Sequence, residues 1–271
     1  MSVAQTGKPV KIAWLTPVIL HEAASFMKMQ QAEGGTWLDT LFDKLREDFG
    51  DNAEFIVIHP MQSVREVWRF ERGNVEYVLM PRRKYGYKDN FGKEVAQIAD
   101  ILNEVQPDLL HIHGTEEFYG LVSDRVSCNS VISLQGFRDD IWRCYFTDIS
   151  MNEYIWLNLK ARKTAFIREI SYYKRMVQIE KQVLAQNRYY IGRTQYDRMH
   201  STGRNPRATY FGDCHDILRE AFYKERWKLE ETLPFSIHTT MTERPYKGIL
   251  LLIQAVDILR RRYPQVKMFV A

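Results

Sequence analysis

The chain has 271 residues, of which 45% are hydrophobic and 27% are charged, and its formal net charge is +4. This composition argues against disorder, and the length is enough for one large or two smaller hydrophobic cores. A charge so close to neutral argues against a dedicated nucleic-acid binder, whereas a small basic excess suits phosphates or a lipid surface.

The cysteines and the amino terminus indicate a cytoplasmic protein. Cys128, Cys144 and Cys214 are widely spaced and show neither a disulfide framework nor zinc-ligand spacing. Thr16 and Pro17 interrupt the first apolar run before it reaches the length of a signal peptide or a membrane-spanning helix. We therefore expect any membrane contact to be peripheral, at the inner face.

Short apolar runs alternate with amphipathic helical patterns along most of the chain. The predicted strands cover residues 10–15, 55–58, 77–80, 109–112, 131–134, 189–191 and 209–211. The predicted helices cover residues 38–49, 95–105, 151–185 as two helices with a bend near Ser171, a helix capped by Thr194, and 217–223. This alternation predicts an α/β fold with a parallel sheet covered on both faces.

The alternation breaks at residues 233 and 234 and then restarts. The later elements are a strand at 235–239, a helix at 247–263 and a strand that begins at 266. A strand-helix-strand unit of this size cannot bury both faces of its sheet. We therefore predict one domain over residues 1–233 and the incomplete start of a second domain over residues 234–271.

Two segments have the residue types that bind anionic groups. Gly34 and Gly35 precede the first amphipathic helix, which places backbone amides beside its positive end, although such a pair, taken alone, is more often a plain turn. Their spacing is not Gly-x-Gly-x-x-Gly, which argues against a nicotinamide cofactor. Arg244 and Lys247 precede the helix at 247–263, where cations oppose the helix dipole, and this favours a diphosphate partner over solvated side chains.

Polar residues also follow two predicted strands at their carboxyl ends, where ligands gather in open parallel sheets. His111 and His113 point to the same face, and we expect His113 to reach a bound sugar while His111 is a core residue. Gln135 and Arg138 follow the next strand and lie on the expected rim for an acceptor or sugar.

The chain offers no visible anchor for a metal-bound diphosphate. Asp139 and Asp140 are adjacent, so they face different directions, and no Asp-x-Asp triplet occurs. We expect these two residues to lie in a solvated loop.

Residues 141–175 interleave aromatic and basic side chains. Such a mixture suits a lipid surface, or a lipid-linked or oligosaccharide acceptor. Because the pattern is not cleanly two-faced, core packing is the expected role of many of these aromatics, and peripheral membrane contact is the alternative.

Several runs together resemble a known family. They are Gly-Gly-Thr-Trp-Leu at 34–38, the run at 107–114, Ile-Gly-Arg-Thr-Gln-Tyr-Asp at 191–197, Ile-Leu-Arg-Glu-Ala-Phe-Tyr at 217–223, and the run at 244–248. In this order and spacing the sequence resembles bacterial glycosyltransferase family 4, and more closely its capsular or surface-polysaccharide branch. The Gly-Arg-Thr-x-x-Asp and Leu-Arg-x-x-Phe-Tyr patterns are the more specific ones.

The resemblance implies a GT-B architecture of two Rossmann-like domains. The implied enzyme is a retaining, hexosyltransferase-like glycosyltransferase that moves a sugar from a nucleotide-diphosphate sugar to a glycan or lipid-linked acceptor without a metal or another cofactor. Gly35 would offer its backbone to the donor diphosphate, His113 would touch the transferred sugar, and Arg244 with Lys247 would neutralise the leaving diphosphate. Fixed charges would then lower the barrier electrostatically.

The sequence departs from the family in one respect. Family members carry two glutamates, seven residues apart, well into the second domain, and this chain ends before such a segment. We therefore expect the chain to bind nucleotide sugar weakly and to turn over little. A non-catalytic acceptor-binding or interaction subunit, and a sugar-nucleotide epimerase on the same scaffold, are the alternatives.

Overall fold

The structure, a computed structural model, describes residues 8–29, 36–147, 149–212, 214, 217–240 and 245–270. The strands in these ranges are β1 (Val10–Leu15), β2 (Ala53–Met61), β3 (Trp68–Arg72), β4 (Val75–Pro81), β5 (Leu109–His113), β6 (Asn129–Ser133), β7 (Tyr189–Ile191), β8 (Thr209–Phe211), β9 (Ser236–Thr239) and β10 (Lys267–Val270). The α-helices are α1 (His21–Phe26), α2 (Thr36–Phe49), α3 (Gly92–Val105), α4 (Arg138–Arg143), α5 (Met151–Lys160), α6 (Ala165–Gln186), α7 (Gln195–Arg204), α8 (Glu220–Lys224) and α9 (Ile249–Arg262).

The chain divides into two compact units. The first comprises Met1–Phe137 and Arg175–Glu220, and the second comprises Arg138–Lys174 and Ala221–Ala271. Each unit takes residues from two separate stretches of the chain. A domain boundary between residues 233 and 234 stays a prediction.

The first unit contains an eight-stranded sheet in the order β3-β4-β2-β1-β5-β6-β7-β8. All neighbouring strands run parallel except β3 and β4, which form an antiparallel pair. The predicted α/β fold with a parallel sheet is thus confirmed, apart from this edge. Strand β3 was not predicted because its side chains are mostly exposed, which leaves no apolar run to reveal it.

One part of the core of the first unit lies between the sheet and α2. Strands β1, β2 and β4 are mostly apolar because both of their faces are covered. Phe42 of α2 packs between Trp14 at 4.9 Å and Phe55 at 5.3 Å, measured between ring centroids. Burying side chains of this size stabilises the fold by about 1.5–3 kcal/mol each.

The second unit contains a break between two helices, as predicted, but the break does not lie near Ser171. The helix α6 runs without interruption through Ser171, and the break lies at residues 161–164. The backbone N–H groups of Ala161 and Lys163 donate to Leu157 and Asn158 of α5, which ends that helix without a glycine or proline. Arg162 has a φ of 56° in this turn.

The expectation of a solvated loop at residues 139–140 is wrong. Both aspartates lie in the first turn of α4, where carboxylates complement the positive end of the helix. Asp139 is buried and accepts a hydrogen bond from the Arg143 guanidinium at 3.3 Å. The two residues thus form an ion pair between successive turns of α4.

Candidate functional site

The carboxyl ends of β1 and β5 mark the point at which the strand order reverses. The chain leaves β1 toward β2 on one side, whereas β5 to β8 extend the sheet on the other side. Ligands in open α/β sheets bind in the crevice outside such a reversal. The loops after residues 15 and 113 therefore border the expected ligand position.

A chain of hydrogen bonds fixes the loop that follows β1. The backbone N–H of Leu20 donates to Nε2 of His59 at 3.3 Å, so Nδ1 of His59 carries the proton. That Nδ1 lies 2.6 Å from Oγ1 of Thr16, which in turn donates to the carbonyl oxygen of Val18 at 3.0 Å. Burial lowers the pKa of His59 to about 3, and the neutral ring therefore acts as a permanent part of this network.

A cavity of about 560 Å³ lies between α2 and the sheet of the first unit. Its lining residues come from α2, from β1, β5, β6 and β7, and from the segments that follow β6, β7 and β8; they are Ile12, Trp14, Trp37, Leu41, Leu45, Phe49, Leu109, His111, Val131, Ser133, Leu134, Gln135, Ile191, Gly192, Arg193 and Cys214. An apolar wall with a few polar groups is typical of sites for small organic ligands, and the volume is in the usual range.

The two histidines of β5 lie beside this cavity in different environments. His111 lines the cavity and its Nε2 lies 2.7 Å from Oγ of Ser133. His113 is 0% exposed, lies 4.2 Å from Trp14 between ring centroids, and has no hydrogen-bond partner at either nitrogen among the described residues. Burial lowers the pKa of His111 to about 4. Burial, together with the neighbouring His111, lowers the pKa of His113 well below its usual value, so both rings are neutral near pH 7.

The structure thus reverses the predicted exposure of these two histidines. Both rings do point to the same face, with centroids 4.1 Å apart. However, His111 borders the open cavity, whereas the aromatic rings of Trp14 and Trp37 cover His113. A contact between His113 and a sugar stays a prediction. Such a contact would give a hydrogen-bond partner to its ring nitrogens, which are rarely unpaired in buried histidines.

Gln135 supplies a second unsatisfied polar group, in agreement with its predicted place after β6. Its Nε2 is buried and has no hydrogen-bond partner in the described part of the chain, and the residue lines the cavity. Among the described lining residues none is Asp or Glu. The cavity therefore presents neutral donors and acceptors on an apolar wall, a lining that favours uncharged or anionic ligands over cations.

Arg193 adds positive charge to the lining and was not predicted as a site residue. Its backbone N–H and that of Thr194 both donate to Oδ2 of Asp197 at 3.0 Å, and Oγ1 of Thr194 accepts from the N–H of Asp197. This capping box confirms Thr194 as the cap of α7. Arg193 follows the carboxyl end of β7, and this position could have identified it as a site residue.

The other predicted site residues are described only in part. Gly34, Gly35 and Arg244 lie outside the described residues. Lys247 is exposed at the end of a 3₁₀ turn that precedes α9, with Nζ 5.5 Å from the centre of the Tyr246 ring. Arg138 opens α4 in the second unit, and its guanidinium stacks 5.2 Å from the centre of the Tyr173 ring. The predicted diphosphate and rim roles of these residues stay predictions.

The described residues contain neither a metal-binding cluster nor a membrane-spanning helix. No cluster of three or more His, Cys, Asp or Glu side chains in these ranges is arranged to hold a metal ion. None of the described helices combines the length and the apolar character needed to cross a membrane.

Comparisons with known proteins show the fold. The sequence matches no protein-family model and no curated protein. Among solved structures, a sucrose-phosphate synthase from Thermosynechococcus elongatus matches with 12% identity and a TM-score of 0.55 over 96% of this chain and 62% of that one. A trehalose-6-phosphate synthase, described in connection with glycosyl transfer with retention, matches with 10% identity and a TM-score of 0.53 over the same shares.

These neighbours are GT-B glycosyltransferases with Rossmann-like domains. At such low identity the likeness shows the fold, and this chain spans 62% of the length of each neighbour. The predicted α/β fold of GT-B type is thereby confirmed.

Proposed function

We propose that the protein is a retaining glycosyltransferase that moves a sugar from a nucleotide-diphosphate sugar to a glycan or lipid-linked acceptor in surface polysaccharide biosynthesis. The observation that carries this proposal is the cavity beside the strand-order reversal, which is lined by Gln135 with its unpartnered Nε2 and by Arg193. The fold shared with GT-B glycosyltransferases and the resemblance to glycosyltransferase family 4 support it.

The cavity would hold the acceptor. Sugar rings present apolar faces and hydroxyl edges, which match the indole of Trp37 and the polar groups of Ser133 and Gln135. Arg193 adds a cation to this lining that would pair with a phosphate or another anionic substituent of the acceptor.

The chemistry would be electrostatic. Charge accumulates on the departing nucleotide while the sugar becomes oxocarbenium-like, so Lys247, Arg244 and the backbone of Gly35 would stabilise the transition state. Neutral His113 would hydrogen-bond a hydroxyl of the transferred sugar, and its lowered pKa makes it a poor proton donor. Breakage of the donor bond would run ahead of acceptor attack, on the same face of the sugar.

The test is transfer from a panel of nucleotide-diphosphate sugars to oligosaccharides, sugar phosphates and polyprenyl-linked sugars. Release of nucleoside diphosphate reports turnover, and NMR of the product reports the anomeric configuration. We expect a retained configuration with one donor class. Arg193→Ala should raise the KM for an anionic acceptor about tenfold because a charge-assisted contact is lost. Arg198→Ala, which removes an exposed cation from α7, is the matched control.

Other results would favour a different function. Because weak donor binding and slow turnover are expected of this chain, the assays use high donor concentrations and long incubations. If no donor binds in calorimetry and no diphosphate is released under these conditions, the proposal fails. Acceptor binding without donor binding would favour a non-catalytic acceptor-binding subunit. Isomerisation of the sugar on its nucleotide, without transfer, would favour an epimerase.

A further inference from the structure

The turn between α5 and α6 exposes large apolar side chains. Trp156, Leu157 and Leu159 of α5 are 58%, 47% and 54% exposed, and Ile167 in the first turn of α6 is 60% exposed. Single exposed apolar residues are common, but several within one helical turn and the adjoining helix start form a patch. Lys160, Arg162 and Lys163 lie in the same stretch, and we call these three cations with Trp156, Leu157 and Leu159 the α5–α6 turn patch.

All charged side chains in the stretch around the α5–α6 turn are basic. Residues 154–168 contain four basic residues and no Asp or Glu. The carboxylates on either side are engaged, because Glu153 accepts the backbone N–H of Ser150 at 2.8 Å and Glu169 accepts the hydroxyl of Tyr145 at 2.8 Å. Within residues 154–168 the charge along the chain is therefore uniformly positive.

Internal packing accounts for the other aromatic residues of the segment. Tyr154 lies between Phe146 and Phe166, at centroid distances of 5.5 and 6.3 Å. Trp156 is turned outward and contacts the ammonium of Lys160, whose Nζ lies 4.9 Å from the ring centre. The capping box of Ser150 and Glu153 begins the helix that presents these side chains, so the patch is built on an ordered element.

We infer that the α5–α6 turn patch binds the surface of an anionic lipid bilayer. Tryptophan and leucine enter the boundary between headgroups and acyl chains, while lysine and arginine pair with anionic headgroups. A helix of ten residues is suited to lie in that interface, since it is too short to span a bilayer. The uniform positive charge favours this occupant over a second copy of the patch, which would bring like charges together. The inference does not depend on glycosyl transfer.

The test is co-sedimentation of the whole chain with phosphatidylcholine vesicles that contain or lack phosphatidylglycerol. We expect binding to the anionic vesicles only, with weakening as salt is added. The triple variant Lys160→Glu, Arg162→Glu, Lys163→Glu should lose at least about tenfold in affinity. The matched control reverses the same number of charges at Arg260, Arg261 and Arg262, which are exposed in the last turn of α9, and should bind like the parent.

A second variant separates apolar insertion from charge alone. Trp156→Ala leaves the net charge unchanged and should weaken vesicle binding severalfold, because the indole no longer enters the interface. Failure of the parent to bind anionic vesicles at low salt would overturn the inference, as would equal losses in both triple variants. A dimer in light scattering that Trp156→Ala dissolves, without vesicle binding by the parent, would assign the patch to a second copy instead.

Discussion

The imidazole rings of His111 and His113 lie 4.1 Å apart between centroids, but only His111 has a hydrogen-bond partner in the described part of the chain. Replacing His111 by Phe leaves the hydroxyl of Ser133 without this partner, and we expect the free energy of unfolding to fall by about 1 kcal/mol. His113→Phe removes two unpaired nitrogens at similar shape, so stability should change by less than about 0.5 kcal/mol, or rise.

Urea unfolding of both histidine variants measures this difference. If His113 contacts the transferred sugar, His113→Phe should also lower transfer activity at least about tenfold while the fold stays intact. A larger loss of stability for His113→Phe than for His111→Phe would contradict the assignment of its nitrogens as unsatisfied.

Two leucines of α2 test whether the cavity is open. Leu38 is 0% exposed in the core, whereas Leu41, one turn later on the same helix, lines the cavity. Leu38→Ala should cost about 2–5 kcal/mol because it leaves a new void in packed surroundings. Leu41→Ala removes a side chain that already faces open space, so we expect a loss below about 1.5 kcal/mol. Equal losses in chemical denaturation would mean that the cavity is packed.

Gly192 permits the close approach of backbone and Tyr210 at the cavity. A Cβ atom on Gly192 would lie 2.6 Å from Oη of Tyr210, whereas one on Gly203 of α7 would meet nothing within 4 Å. We expect Gly192→Ala to lower the free energy of unfolding by about 1–3 kcal/mol through overpacking. Gly203→Ala should raise it by about 0.5–1 kcal/mol because alanine favours the helix. Thermal unfolding of the two variants and the parent shows whether Gly192→Ala destabilises the protein and Gly203→Ala stabilises it.

The capping box of α7 positions Arg193. Asp197→Ala removes the acceptor of two backbone N–H groups and should cost about 1–2 kcal/mol. Because one of these donors belongs to Arg193, the KM for an anionic acceptor should also rise severalfold. Glu153→Ala disrupts the equivalent box at α5 and should leave that KM unchanged. A KM unaffected by Asp197→Ala would remove Arg193 from the acceptor site.

Buried neutral histidines make the stability depend on pH. Burial lowers the pKa of His59 to about 3 and that of His111 to about 4. As pH falls below about 6.5 the unfolded chain takes up these protons first, so stability falls until the folded-state pKa values are reached. Between pH 7.5 and 5 we expect a loss of about 2 kcal/mol per histidine.

His59→Gln should therefore reduce the pH-dependent loss by about 2 kcal/mol in urea unfolding at the two pH values. His238→Gln changes an exposed histidine and serves as the comparison. An unchanged pH dependence in His59→Gln would show that this ring is not held neutral in the fold.

Periodicity in the sequence was sufficient to predict most of the α/β fold. The run at 10–15 is apolar because β1 is covered on both faces, and the stripe of α2 is apolar because it faces the sheet. Strand β3 lacks such a run because it is an exposed edge. At the break before α6, Arg162 has a positive φ. Because no glycine or proline occurs there, the sequence did not indicate the position of this break.

The candidate site was predicted less completely than the fold. The strand ends indicated His113 and Gln135, because ligand positions in parallel sheets follow from topology. The cavity could not be foreseen, since α2 uses one apolar stripe both for the core, with Leu38, and for the cavity wall, with Leu45. Exposed Arg193 looks in sequence like any solvated cation near a helix start.

The two end strands of the eight-stranded sheet determine how the first unit behaves beside other copies of itself. Strand β8 has only three residues, and β3 carries Arg69, whose guanidinium forms two hydrogen bonds with the carboxylate of Glu104. Short edge strands and charged edge strands both disfavour the pairing of a strand from another chain with the sheet. The described sheet is thus protected on both sides against growth into intermolecular β-structure, a property that favours recovery of soluble protein at high concentration.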